Sequence, residues 1–201
     1  MAMQADELRR WYARGRRDFR GIVMRNTDLC EANLARAHFD GADLTGSRFC
    51  GADLSRCSFS EAILNRANFA GAHLVWASFR WAALVGAILL AANLEAADLR
   101  SADLRNADLC SAVLVEANLC AARLSGADLS KSNLSRADLS ASILFGACLY
   151  RACLREARIC AADVRIADFR LADTTGVDWT DTDVTKVIWT EAHLWDDSQW
   201  E

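Results

Sequence analysis

The sequence contains no proline among its 201 residues and only three histidines. Although 53% of the residues are hydrophobic, no run of about 18 uncharged apolar residues is present, as a membrane-spanning helix would require. The opening MAMQADELRRWYARGRR has no apolar segment of the kind found in secretory signals. These absences exclude a membrane protein and predict a soluble chain located in the cytoplasm.

The chain also lacks the residue spacings of metal and catalytic sites. Its eight cysteines include no CxxC pair, so in a cytoplasmic chain they are predicted to be reduced thiols. His38, His73 and His193 fall in different units of the repeat described below, too far apart to share a metal ion or a catalytic triad. The sequence therefore predicts no metal, no cofactor and no enzymatic activity.

The dominant feature of the sequence is a five-residue period. Every fifth residue from Phe19 to Phe169 is apolar, without exception across 31 positions. The position two residues before each apolar residue is always Ala, Ser or Cys, at every fifth position from 32 to 172. The residue between the small residue and the apolar residue is most often Asp or Asn. Each unit thus combines a small residue, an acidic or amide residue, and a large apolar residue.

Neither a helix nor a straight strand can bury this pattern on one side. Five residues advance an α-helix by about 500°, so the apolar residues would spread around its surface. In a strand, side chains alternate with period 2, and an odd repeat would place successive apolar residues on opposite faces. The pattern therefore predicts a coil that turns a corner in every unit, with the apolar residues inside.

Five phenylalanines that recur every ten residues indicate how many corners close one coil. A four-sided coil of twenty residues explains them, because alternate phenylalanines then stack in one column. At about 4.8 Å per coil, the roughly 150 regular residues form a rod of about 36 Å. The absence of proline agrees, because a ladder of backbone hydrogen bonds uses every N–H. The predicted core ladder includes Phe39, Phe49, Phe59, Phe69, Phe79, Leu99, Leu104 and Leu109.

The units in ADLRSADLRNADL, residues 97–109, resemble the A-(D/N)-L-x-x signature of pentapeptide-repeat proteins. This resemblance implies the family's fold, an all-β solenoid in the form of a right-handed quadrilateral β-helix. We predict three segments: a short N-terminal capping helix in residues 1–16, the pentapeptide-repeat β-helix in residues 17–172, and an irregular C-terminal coil or cap in residues 173–201.

Both predicted ends depart from the repeat. In QADELRRWYARG, Leu8, Trp11 and Tyr12 share one face of a short helix that Gly15 would terminate. After residue 172 the inward columns contain Thr, Val and Trp instead of Ala and Leu. The tryptophans there have two interpretations: a cap over the last coil, or a cap that also forms a homodimer contact. These residues are Trp179, Trp189 and Trp195.

One outward-facing stretch, residues 75–90, breaks the polar pattern of the surface. An exposed apolar patch with aromatic residues is typical of protein interaction sites. Alternatively, arginines in adjacent coils satisfy the rings locally by cation–π contacts, as Arg56 would do for Trp76, and Arg165 and Arg170 for Phe145 and Tyr150. The predicted protein-binding residues are Trp76, Trp81, Val85, Ile88 and Leu90.

Charge separates the remaining functional interpretations. Residues 1–25 carry +4, residues 173–201 carry −7, and the body between them carries only −1. Some pentapeptide-repeat proteins imitate DNA, bind DNA gyrase and protect it from quinolones, which requires an acidic surface because B-DNA carries one charge per about 1.7 Å. The nearly neutral body makes gyrase binding the second interpretation here, and direct nucleic-acid binding is not predicted.

The segment ADELRRWYARGRRDFRGI is similar to the opening of the pentapeptide-repeat regulators of heterocyst development. Those relatives act by binding regulatory proteins. The resemblance therefore implies a non-enzymatic scaffold or regulator that presents a rigid β-helical surface to a partner protein. Cys30 and Cys50 share one predicted column, where a disulfide is within reach, but the predicted cytoplasmic location favours free thiols.

Overall fold

The computed structural model describes residues 5–189 as one helix followed by a continuous coil. Helix α1 spans Ala5–Ala13. Parallel β-bridges then join residues that are twenty apart, from Asp18↔His38 to Asp168↔Ile188. Each coil therefore has twenty residues and four bridged sides, as the phenylalanine spacing predicts. No helix among the described residues is long and apolar enough to cross a membrane.

The four sides are numbered by their central apolar residues. Side 1 carries Phe19 and each twentieth residue after it, side 2 begins at Met24, side 3 at Leu29 and side 4 at Leu34. A corner is named by the two sides that it joins. Each side contributes one isolated bridge residue instead of an extended strand, within residues 5–189, because the next turn begins directly after the central residue.

A β-turn forms each corner. The N–H of the residue three places after a central residue donates to that residue's carbonyl, as Ala42 does to Phe39 at 3.0 Å. The third turn residue has positive φ, for example +64° at Gly41, which is the requirement of a type II turn. Nine glycines occupy this position along the rod, since glycine adopts positive φ without steric cost.

The interior is a continuous apolar column from end to end. Phe39 and Phe59 stack with ring centroids 5.2 Å apart, while Phe59 and Phe69, from opposite sides, meet edge to face at 6.0 Å. Burial of each large side chain stabilises the rod by about 1.5 to 3 kcal/mol. The residues of the predicted core ladder are all fully buried: Phe39, Phe49, Phe59, Phe69, Phe79, Leu99, Leu104 and Leu109.

Helix α1 covers the first coil. Leu8 is fully buried, and the Tyr12 hydroxyl donates to the Ala35 carbonyl at 3.0 Å and to the Asn33 side chain at 3.1 Å. The helix ends in a Schellman motif, in which Gly15 has a φ of +94° and its N–H donates to the Tyr12 carbonyl. These contacts seal the apolar column that the coil would otherwise expose.

At the other end, the coil continues beyond the predicted boundary at residue 172. Bridges persist to Ile188, because Trp179 and Trp189 take the central positions that Phe and Leu occupy earlier. Their rings lie 5.6 and 5.2 Å from the Phe169 ring. Both tryptophans therefore extend the core, and Trp195 lies outside the described residues.

Candidate interaction surface

The outward Asp and Asn side chains hold the corners together. In many coils, the Oδ1 atom of the Asp or Asn accepts a hydrogen bond from the backbone N–H of the residue two places later, as Asp128 does from Ser130 at 2.9 Å. This local bond fixes the start of the turn, which explains why the repeat prefers Asp and Asn at this place. The carboxylates are therefore structural parts of the corners.

Arginine neutralises a large share of these carboxylates. Arg105 donates from Nε to Oδ1 of Asp103 at 2.7 Å and from Nη2 to Oδ2 at 2.6 Å, and this pairing lowers the pKa of Asp103. The same two-residue spacing pairs the following carboxylates and guanidinium groups: Asp18 with Arg20, Asp98 with Arg100, Asp163 with Arg165, and Asp168 with Arg170. Rows of acidic residues in the sequence thus become rows of ion pairs on the surface.

The arrangement nearest to a catalytic cluster is on side 1. The Ser58 hydroxyl donates to the Asp40 carboxylate, whose other oxygen lies 4.0 Å from Nδ1 of His38. In a nucleophilic triad the histidine stands between the acid and the serine, whereas Asp40 stands between His38 and Ser58. Within residues 5–189, no three His, Cys, Asp or Glu side chains are placed to hold a metal ion.

The eight cysteines are free thiols. Burial raises the pKa of Cys57 to about 12, and burial together with hydrogen bonds to Asp28 and Cys50 raises that of Cys30 to about 11. A raised pKa keeps a thiol protonated and unreactive at neutral pH. These two thiols are consequently poor nucleophiles.

The five predicted binding residues encircle the rod instead of sharing one side. Val85 lies at corner 2–3, Ile88 on side 3 and Leu90 at corner 3–4. Trp76 and Trp81 lie at corners 4–1 and 1–2, where they bracket the side 1 residues of their coil. Their side chains are 61% and 56% exposed. Of the five predicted residues, Trp76 and Trp81 are the two that border side 1.

Both tryptophans occupy the turn position that requires positive φ. Trp76 has a φ of +62° and Trp81 of +55°. This conformation costs a residue with a Cβ about 1 to 2 kcal/mol; glycine takes the equivalent position in nine other turns, and residues with a Cβ take it in 22 others. The two tryptophans differ from most residues at this position in the exposure of their large rings, which core packing does not explain.

Local cation–π contacts satisfy some exposed rings. The guanidinium of Arg80 lies 4.7 Å from the Trp81 ring centroid, and that of Arg165 lies 5.6 Å from Phe145. Arg170 similarly lies 5.9 Å from Tyr150. Within the described part of the chain, Arg56 makes no such contact with Trp76. Trp76 is therefore the more available of the two tryptophans.

Several exposed apolar residues escaped the sequence analysis. They occupy bridge or turn positions outside residues 75–90, and the outward places of the five-residue frame were the signal that could have found them. Ile143 lies on side 2 and Ile166 at corner 2–3, where Phe145, whose ring the sequence pairs with Arg165, lines a shallow groove with Gly126 and Gly146. The other members of this set are Val23, Ile63 and Ile188.

A family model for pentapeptide repeats matches the chain in eight copies, over residues 18–51, 52–89, 87–126 and 122–159. The chain belongs to the pentapeptide-repeat family. Bridges at every fifth residue are the structural counterpart of that match. As a pentapeptide-repeat protein, the chain has the β-helix fold that the sequence predicts. A comparison with curated proteins finds no match.

Two solved pentapeptide-repeat structures are similar over most of the chain. HetL, from the cyanobacterium Nostoc sp. strain PCC 7120 and involved in the regulation of heterocyst differentiation, is 30% identical over 96% of this chain and 95% of its own, with a TM-score of 0.51. QnrB1, a plasmid-mediated fluoroquinolone resistance protein, is 21% identical over 90% of this chain and 85% of its own, with a TM-score of 0.60. The second likeness shows the shared fold alone.

Proposed function

We propose that this pentapeptide-repeat protein is a non-enzymatic scaffold or regulator that binds a partner protein through side 1, between Trp76 and Trp81. The observation that carries the proposal is the exposure of two large aromatic rings at turn positions with positive φ. Each exposes a large ring at a turn position that glycine would occupy without strain. Tryptophan and arginine are the residues most often found at the energetic centre of protein interfaces.

The surface between the tryptophans suits a flat partner. The hydroxyl oxygens of Ser58 and Ser60 lie 3.3 Å apart, and those of Ser60 and Ser78 lie 3.1 Å apart. Beside these short hydroxyl side chains, the large exposed groups of this side are the two bordering rings and Arg80, which lies against the Trp81 ring. Likeness to HetL, a protein involved in regulation, supports a role in regulation for this chain as well.

The test compares the wild type with a Trp76→Gly, Trp81→Gly variant in quantitative capture from native lysate. Glycine removes both rings and relieves the strain of the positive φ, so the variant is expected to melt at or above the temperature of the wild type. A partner captured by the wild type should be lost by the variant. The captured protein is then purified, and its dissociation constant is expected to rise at least about tenfold with the variant.

A Phe145→Ser variant is the matched control, because Phe145 is an exposed aromatic residue at corner 2–3, away from side 1. This variant is expected to bind the purified partner as the wild type does. Equal affinity of the tryptophan variant and the wild type would exclude side 1 as the binding surface. Equal losses in both variants would indicate general damage to the rod instead of a local site.

A further inference from the structure

Corner 4–1 carries stacked charges of the same sign. Arg36 and Arg56 occupy the same turn position in successive coils, and Trp76 occupies it in the next. At about 4.8 Å per coil, these three side chains line a strip about 10 Å long. We name this strip the arginine corner: Arg36, Arg56 and Trp76.

Neither arginine of this corner is neutralised by another described residue. Within residues 5–189, the guanidinium groups of Arg36 and Arg56 make no hydrogen bond, ion pair or ring contact. Further along the same column the charges alternate, and Arg136 lies 2.9 Å from Glu156 and 3.8 Å from Glu116. Like charges placed opposite each other in a sheet are destabilising. The arginine corner thus keeps an unbalanced charge that the same column balances elsewhere.

The chain itself contains a segment with the complementary chemistry. Residues 190–201, TEAHLWDDSQWE, carry four carboxylates, no lysine or arginine, and two tryptophans. Carboxylates pair with guanidinium groups in bidentate geometry. We propose that residues 190–201 of a second copy of this chain bind along the arginine corner. This inference concerns self-association and goes beyond the proposed function, with which it shares only Trp76.

The length of the segment favours a second copy over the same chain. Arg56 lies between six and seven coils before Trp189, which is about 32 Å along the rod, and Arg36 lies about 5 Å further. Twelve residues span at most about 43 Å when fully extended. A chain's own segment would therefore use most of its length to reach the corner, with few residues left to lie along it.

Two rods lying side by side in opposite directions remove this limit. The C-terminal end of each then stands beside the early coils of the other, and both segments find an arginine corner at once. Such a pair has twofold symmetry and closes on itself. This contact differs from a homodimer formed through the C-terminal ends, because it depends on residues near the opposite end of the rod.

The test measures the mass of the full chain by sedimentation equilibrium at 50 mM and 500 mM NaCl. We expect a dimer, twice 22.1 kDa, at low salt and a monomer at high salt, because salt screens exposed ion pairs. Replacing Arg36→Glu and Arg56→Glu should raise the dimer dissociation constant at least about thirtyfold, from the loss of four exposed ion pairs. An unchanged melting temperature establishes that the variant is folded.

A matched control replaces Arg66→Glu and Arg151→Glu, which changes the net charge equally. Both residues are exposed arginines at other corners, without a carboxylate within 4.0 Å in the described part of the chain. This control should dimerise as the wild type does. A wild type that is monomeric at 50 mM NaCl would overturn the inference, and so would a dimer that the Arg36 and Arg56 changes leave intact.

Charge reversal supplies the decisive comparison. Adding Asp196→Lys and Asp197→Lys to the Arg36→Glu, Arg56→Glu variant should restore the dimer, since both members of each pair are then exchanged. Failure of this combination to dimerise would contradict a direct contact. The result is separable from the proposed function, because the Trp76→Gly, Trp81→Gly variant retains both arginines and the acidic segment.

Discussion

At the residue scale, the turn position with positive φ decides what each corner presents. Glycine or a polar residue fills it in most coils, and glycine takes the positive φ there without steric cost. Large apolar residues occupy it at only four places among the described residues: Trp76, Trp81, Ile166 and Leu171. Trp76 and Trp81 are the two that our proposed function uses.

Ile166 provides a test of the strain that positive φ imposes on a large side chain. It is β-branched, half exposed and held at a φ of +51°. Ile166→Gly should raise the free energy of unfolding by about 1 kcal/mol, because glycine relieves the left-handed strain. Urea unfolding of the variant measures this change.

The control for that measurement is Ile143→Gly. Ile143 has similar exposure but lies at a bridge position in extended backbone, where glycine is unfavourable by roughly 0.5 to 1 kcal/mol. Its urea midpoint should therefore fall. If both midpoints fell by the same amount, the positive φ of Ile166 would carry no measurable strain.

The paired carboxylates give stability a defined dependence on pH. Hydrogen bonds from the arginine two residues later lower the pKa of Asp103, Asp163 and Asp168, whereas the unfolded chain has ordinary values near 3.9. Between these values the unfolded state binds more protons, so the stabilisation is complete above about pH 5 and disappears as the pH falls through the native pKa values. The melting temperature is expected to fall between pH 5 and pH 3.

A set of substitutions distinguishes the contribution of these ion pairs from general acid denaturation. A triple Asp103→Asn, Asp163→Asn, Asp168→Asn variant keeps an amide oxygen for the corner hydrogen bond but cannot titrate. Its melting temperature should be lower at pH 6 and should change less between pH 5 and pH 3 than that of the wild type. A parallel pH profile in both proteins would mean that other groups cause the acid sensitivity.

At the element scale, each coil contacts only the coils before and after it, so the ends determine how the rod opens. Helix α1 covers one end through the buried side chain of Leu8 and the hydrogen bonds of Tyr12. Inside the early coils, phenylalanine rings stack from Phe19 to Phe79, whereas leucine fills the middle coils. The helix therefore protects the most aromatic part of the core.

Leu8→Asp should open that end without unfolding the whole rod, because burial of a carboxylate between helix α1 and the first coil is strongly unfavourable. Hydrogen exchange is expected to lose protection in residues 19–40 and to retain it beyond residue 100. Glu7→Ala, an exposed change in the same helix, should leave both regions protected. Uniform loss of protection along the chain would show that the rod unfolds as one cooperative unit.

The sequence predicts the elements because every inward position must be apolar, and a strict five-residue frame marks those positions directly. The same frame identifies Trp76 and Trp81 as outward residues. The frame alone does not mark the strain at Ile166. The signal for it was that Gly126 and Gly146 occupy the same turn position in the two preceding coils. That Arg36 and Arg56 pair with no carboxylate within residues 5–189 was equally hidden, since it depends on which side chains meet across adjacent coils.

At the scale of the whole molecule, the rod differs from a DNA mimic in its charge. Its body carries −1 between residues 26 and 172, and arginines pair with the carboxylates that line its sides. A duplex of comparable length would carry about 20 negative charges. The molecule therefore presents local features, such as a pair of rings or a charged corner, instead of a uniform field.

This charge pattern predicts the outcome of a gyrase supercoiling assay. Up to micromolar concentrations, the protein should neither inhibit supercoiling nor protect the enzyme from a quinolone. Full-length QnrB1, a fluoroquinolone resistance protein, serves as the reference for protection. Protection equal to that reference would replace our proposed function with the DNA-mimic interpretation.

The twenty-residue coil also governs what happens when this sequence gains or loses units. Removing twenty residues shortens the rod by about 4.8 Å and leaves every later side facing its former direction. Removing five keeps the interior apolar but rotates everything downstream by a quarter-turn, so that Trp76 would no longer follow Arg56 along one edge if the loss fell between them. Duplication of a single five-residue unit can thus bring different side chains next to each other on the surface while the apolar pattern of the core is unchanged.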